Sequence, residues 1–150
     1  MTIEPSTLRR YSLFGGLLED QIQMILPFME KESYLPGEDI IVEGTPNGMI
    51  RFILEGRAAV LKNSIILSEF SEGDTFGEME VLDVMPSAAT IKALTHMTLM
   101  CVSNKGLRDI YKADASAFAL VIMNLARDLS RRLRKMNERL IERHDGGNVP

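Results

Sequence analysis

The sequence predicts a mainly β domain with helices at both ends, and three features predict it. Between Ser33 and Ser103, short runs rich in Ile, Val, Leu and Phe alternate with turn signals (LPGED, EGTPNG, LEGR, SEGDTFGE, MPSA), the texture of an antiparallel sandwich or barrel. Ahead of that region lies an apolar stripe at helical spacing. Behind it a second stripe continues for almost thirty residues without a turn signal.

In chain order, residues 12–30 read as a turn and then a helix, with Leu17, Leu18, Ile22, Ile25 and Leu26 as its apolar stripe. Pro27 should end or kink that helix. The strand candidates are Ser33–Leu35, Ile40–Val42, Ile50–Glu55, Ala58–Lys62, Ile65–Phe70, Ala88–Ala93 and Thr98–Ser103, with glycines such as Gly56 and Gly73 at the corners. KGLRDIYKADA then suits a short helix and 116–144 a long one, with Ser116 as its expected N-cap. These bounds give a β domain with its first helix over 12–115, the long helix over 116–143, and a fraying tail over 144–150.

Composition narrows the function classes. The chain has 150 residues, 17 basic and 21 acidic, for a net charge of −4, so nucleic-acid binding would need a local basic patch. RRLRK at 131–135 is the densest candidate, but on a helix those residues spread round the polar face and read as solvated. The single cysteine, Cys101, allows no intrachain disulfide and reads as a buried, inert thiol. No signal peptide or membrane-length apolar stretch is visible, so a cytoplasmic protein away from membranes is expected. His96 and His144 are far apart, and His96 reads as a turn residue, so no metal site is expected. No nucleophile–base pair stands out either, and the chain is not expected to be an enzyme.

The stretch most able to carry chemistry is FGEMEVLDVMPSAAT, Phe76 to Thr90. Gly77 lets backbone approach a ligand, and a helical turn beginning at Glu78 would aim free N–H groups at whatever lies beside it. Glu78 is a natural acceptor for sugar hydroxyls. On this stretch alone, a barrel corner with Glu78 as a helix-start residue fits equally well. No Lys or Arg lies between Phe76 and Lys92, so a counter-charge for a phosphate is expected to be missing.

SEGDTFGEMEVLDVMPSAATIKA resembles the phosphate-binding cassette of the cyclic-nucleotide-binding domain family, found in catabolite-activator-type regulators, protein kinase A regulatory subunits and gated channels. The upstream segment LPGEDIIVEGTPNGMIRFILEGRAAVLK is similar to that family's early strands, and the order of helix, β-roll and long final helix also agrees. The resemblance implies a cyclic-nucleotide-binding-like β-roll (jelly-roll, cupin-like) flanked by an N-terminal helix and a long C-terminal helix. It gives the phosphate to the backbone of Gly77, Met79 and Glu80 and the ribose hydroxyl to Glu78. Phe76, Pro86, Ser87 and Ala88 complete the cassette. The family's arginine after the proline falls on Ser87, and Ala88 leans towards adenine over guanine. A charge-assisted hydrogen bond contributes about 1.5–3 kcal/mol, so its loss weakens phosphate binding very roughly 10- to 100-fold. Arg51 and Arg57 are the nearest substitutes; strand alternation gives Arg51 a surface role, and Arg57 reads as a solvated turn residue. Glu80 would add like-charge repulsion, and Asn137 on the long helix is placed to meet a base edge.

On the long helix, Phe118, Ile122, Leu125, Leu129, Leu133, Met136 and Leu140 form a stripe that repeats at 11 residues and is expected to be a homodimer seam. The expected function is a regulatory or sensor module in signal transduction, binding a cyclic-AMP-like nucleotide weakly, or an altered ligand, and signalling through its last helix to a protein effector. The alternative is a dimeric scaffold with a disabled pocket. No helix-turn-helix follows the long helix in this sequence, so direct DNA binding is not expected. No cofactor beyond the nucleotide ligand is implied.

Overall fold

Turn chemistry and strand alternation produce eight antiparallel strands, and the computed structural model describes residues 3–147, with side chains to 145. The strands are β1 (Glu30–Tyr34), β2 (Asp39–Ile41), β3 (Met49–Glu55), β4 (Ala58–Lys62), β5 (Ile65–Phe70), β6 (Thr75–Phe76), β7 (Thr90–Ala93) and β8 (Met97–Ser103). They form two four-stranded sheets, ordered β1-β8-β3-β6 and β2-β7-β4-β5, which face each other as a roll. The expected β-roll with helical flanks is the observed fold.

Two apolar clusters explain why. Ile53, Phe76, Ile91, Met97 and Leu99 fill the space between the sheets. Phe14, Ile22, Ile50, Phe52, Val102 and Leu125 fill the space between the first sheet and the helices. The first sheet is therefore buried on both faces, and this corrects the expectation for Arg51. Alternation does separate it from Phe52, but the other face of β3 looks into the roll and not into solvent. Arg51 is 8% exposed and pairs with Glu32 at 2.9 Å.

Helices α1 (Pro5–Leu8) and α2 (Glu19–Ile25) precede the roll. A 3₁₀ turn over Leu26–Phe28 follows α2, as the position of Pro27 requires. Leu18, expected on the buried stripe, is exposed just ahead of α2, where its N–H donates to Gln21 Oε1 at 3.0 Å. β1 starts three residues earlier than expected, because Glu30↔Cys101 through Tyr34↔Met97 pair it with β8 along a polar edge. β6 is two residues long, too short to show as an apolar run in the sequence.

After the roll come α4 (Asn104–Ala113) and α5 (Ala115–Gly147); α3 lies in the cassette and is described below. Asp114, not Ser116, caps α5, accepting from the Ala117 N–H at 3.0 Å. α5 is helical through Gly147, four residues into the tail expected to fray, and residues 148–150 lie outside the described residues. Its first half packs on the domain: Val121 and Leu125 are buried, and Phe118 and Ile122 are half-buried beside them. Asn124 donates to the carbonyls of Leu13 and Gly15, and Ser12 donates to Asp128. From Leu133 onward the stripe emerges: Leu133, Met136, Leu140 and Ile141 are exposed. Among the described residues no helix is long and apolar enough to cross a membrane.

Candidate functional site

The cassette begins where β6 pairs with β3, Phe52↔Thr75 and Arg51↔Phe76. Gly77 then turns the chain at φ +83° into α3 (Glu78–Asp83). A side chain is excluded there twice over. The conformation is left-handed, and a Cβ would lie 2.6 Å from the Met49 carbonyl oxygen and 2.8 Å from Asn47 Nδ2. Asn47 holds the turn by donating to the carbonyls of Gly77 (3.1 Å) and Met49 (3.0 Å).

Behind Asn47 lies a buried polar chain. Arg51 Nη1 donates to Asn47 Oδ1 at 2.8 Å, and Arg51 Nε donates to Glu32 Oε1 at 2.9 Å. The Cys101 thiol donates to the same Glu32 oxygen at 3.0 Å. Burial alone would raise the Glu32 pKa, but the hydrogen bonds from Cys101 and Arg51 outweigh it and hold the carboxyl below its usual value. Burial, and then the hydrogen bond to Glu32, push the Cys101 thiol far above its ordinary value, so it is unreactive as expected.

Glu78 is 3% exposed and meets a guanidinium that sequence reasoning did not assign to it. Arg132 of α5 donates from Nη1 to Glu78 Oε1 at 2.7 Å and from Nη2 to the Thr75 carbonyl. Its guanidinium carbon sits 5.1 Å from the centre of the Phe70 ring, which stacks on Phe76 at 5.6 Å. Burial outweighs the attraction of Arg132 and raises the Glu78 pKa. A cation does reach the cassette, from 54 residues away in sequence, but it is paired with Glu78 and stands away from Ser87, where the phosphate's counter-charge was expected to be missing. The solvated reading of RRLRK fails for Arg132 alone of its three arginines and one lysine; the others are exposed.

At the far end of the cassette Ser87 is 3% exposed, with its backbone pinned to the loop before β3. Its N–H donates to the Thr45 carbonyl at 2.9 Å, and its carbonyl accepts from Gly44 at 2.8 Å. Ser87 Oγ, Glu78 Oε2 and Thr75 Oγ1 are buried without a hydrogen-bond partner among the described residues. Three unsatisfied oxygens in one short segment suit a site that receives a polar ligand. Lys62, at the end of β4, donates to the Ala88 carbonyl at 2.8 Å and pairs with Glu43 at 3.2 Å.

The remaining expected site residues divide. Phe76 is in the roll core, Glu80 is half-buried, and Met79, Pro86 and Ala88 are exposed along the rim. Val84 closes α3 at φ +58°, a costly conformation for a β-branched residue. Asn137 is exposed on α5, whereas Arg132 of the same helix bonds to the cassette. Arg57 is exposed beside Glu69, and His96 lies exposed in a turn. Arg132 continues the spacing of Val121, Leu125 and Asp128, a face that only the packing reveals.

Comparison with known proteins agrees with this geometry. Over 108 residues the chain is 33% identical to the human voltage-gated delayed rectifier potassium channel KCNH8, spanning 69% of this chain and 10% of the channel. It is 27% identical over 128 residues to the cyclic AMP receptor protein of Thermus thermophilus, covering 82% of this chain and 57% of that protein. The chain therefore spans a tenth to little more than half the length of these relatives. Among solved structures, a cyclic nucleotide-binding domain from Methylobacillus flagellatus superposes with a TM-score of 0.82 at 21% identity, over 93% of this chain and 82% of that one. The Thermus thermophilus catabolite activator protein gives 0.74 at 24% identity, over 86% of this chain and 61% of that one. The family model described as cyclic nucleotide-binding domain matches residues 31–114, which hold strands β1 to β8 nearly entire, the whole cassette and α4, and this chain belongs to that family.

Proposed function

We propose that this chain is a regulatory module that takes a cyclic nucleotide weakly, cyclic AMP before cyclic GMP, at Gly77–Ser87 and answers by moving the exposed half of α5. The observation that carries the reading is Arg132 on Glu78, 2.7 Å apart. Glu78 is the side chain that the resemblance gives to the ribose hydroxyl. A sugar that engages Glu78 competes with Arg132 or rearranges it, and Arg132 is the side chain that bonds the outer part of α5 to the cassette. A ligand shifts α5 only by as much as its affinity differs between the two helix positions. The unsatisfied oxygens of Glu78 and Ser87 support a polar ligand at this place. So does the similarity to a cyclic AMP receptor protein and to a cGMP-dependent protein kinase.

The exposed residues Leu133, Met136 and Leu140 support a second copy of this chain as the partner of α5, with a protein effector downstream and a cytoplasmic setting. The test of ligand binding is melting temperature against increasing cyclic AMP and cyclic GMP. At 100 times the dissociation constant a ligand adds about 2.7 kcal/mol of stability. A flat response to both at millimolar concentration would refute nucleotide binding and favour a protein-interaction scaffold.

A further inference from the structure

We propose that Lys62 is the cation that holds the phosphate in this cassette, a role that rests on the nucleotide-binding reading above. The resemblance puts the phosphate cation at Ser87, which carries no charge. Arg132 stands at the opposite end, occupied with Glu78. Lys62 is a cation that reaches the Ser87 end. Its ammonium lies 2.8 Å from the carbonyl oxygen of Ala88, the next residue.

The strand register directs it there. β4 pairs with β7 without a break from Ala58↔Ala93 to Leu61↔Thr90. Ala58 and Ala93 both line the cluster between the sheets, and so does Ile91 opposite Val60. Lys62 continues the same row, Ala58, Val60, Lys62, and leaves the roll on its inner side. An ammonium has three donors. The Ala88 carbonyl takes one of them and Glu43 pairs with the ammonium at 3.2 Å, leaving donor capacity for a ligand. One residue away, the Ser87 hydroxyl is 97% buried without a partner. A spare ammonium donor at the Ala88 carbonyl and an unsatisfied hydroxyl on the preceding residue suit a phosphate oxygen. Glu43 balances the charge in the unliganded state and limits the attraction, in keeping with weak binding.

Cyclic AMP titrated calorimetrically into wild type, Lys62→Gln, Lys62→Arg and Lys92→Gln tests this. Gln keeps a donor for the Ala88 carbonyl and removes the charge, so a merely structural lysine would tolerate it. Lys92 makes the same kind of contact, with the Gly37 carbonyl and Asp39, away from the cassette, and serves as the control. Lys62→Gln should weaken binding about tenfold, since one charge-assisted hydrogen bond is lost. Lys62→Arg should stay within about twofold, because it keeps the charge at a single-point contact. Lys92→Gln should match wild type, and Ser87→Arg added to Lys62→Gln should restore affinity. Unchanged affinity in Lys62→Gln, or an equal loss in Lys92→Gln, overturns the role of Lys62 and leaves nucleotide binding standing. No binding by wild type overturns both.

Discussion

Removing Arg132 is the most informative perturbation of this structure. Arg132→Ala deletes the hydrogen bonds to Glu78 and to the Thr75 carbonyl and the contact with the Phe70 ring. It leaves a carboxylate whose side chain is 4% exposed with no opposite charge. Breaking a fully buried ion pair costs about 3–5 kcal/mol. Two effects reduce that here. Arg132 is itself 29% exposed, and Glu78 can escape by taking up a proton, at about 1.36 kcal/mol per unit between its pKa and the ambient pH. The expected loss is about 2 kcal/mol near neutral pH, or roughly 4–8 °C of melting temperature for a chain of this size.

The pH dependence sharpens the test. Glu78 has a raised pKa in the folded protein, so its contribution favours the fold at low pH and is lost as pH rises through the folded value. Without Arg132 that pKa rises further and the loss is larger. Urea unfolding should therefore show a small difference between wild type and variant below the ordinary carboxylate range, growing as the pH rises through the raised folded value. A cycle with Glu78→Gln should give a coupling of at least about 1 kcal/mol. A pH-independent difference under about 0.5 kcal/mol, with no coupling, would refute the placement of Arg132 on Glu78.

Two further outcomes follow from the geometry. Gly77→Ala should destabilise the domain by about 1–3 kcal/mol by urea unfolding, because φ is +83° and a methyl group meets the Met49 carbonyl at 2.6 Å. Leu133→Glu with Met136→Glu should leave the domain folded by circular dichroism, since both side chains are exposed, while light scattering should report a shift from dimer to monomer and melting should fall only by the lost dimer linkage. A wild type that is already monomeric removes the proposed partner of α5.

Most of the fold was legible because its signals are local. Apolar runs between glycine turns located β3, β4 and β5 to within a residue, and the 3.6-residue period located α5. β1 was misplaced because Glu30, Lys31 and Glu32 carry no apolar run, although pairing with β8 makes them a strand. Arg51 was misread because alternation gives a residue's face but does not say what covers it. In the site, Gly77 and Glu78 could be found by their turn chemistry. Arg132 and Lys62 could not, because each comes to the cassette through tertiary packing of a distant element. Their charge is ordinary in sequence and acquires meaning only beside Glu78 and Ala88.

The clamp of Asn124 and Asp128 on residues 12–15 makes the rest of α5 a lever with a fixed fulcrum. From Asp128 to Gly147 the arm is about 28 Å long at 1.5 Å per residue, so a tilt of about 10° at the fulcrum swings its tip by about 5 Å. On the proposed reading, a rearrangement no larger than the swap of one guanidinium contact would be magnified into a displacement wide enough to part or join two protein surfaces.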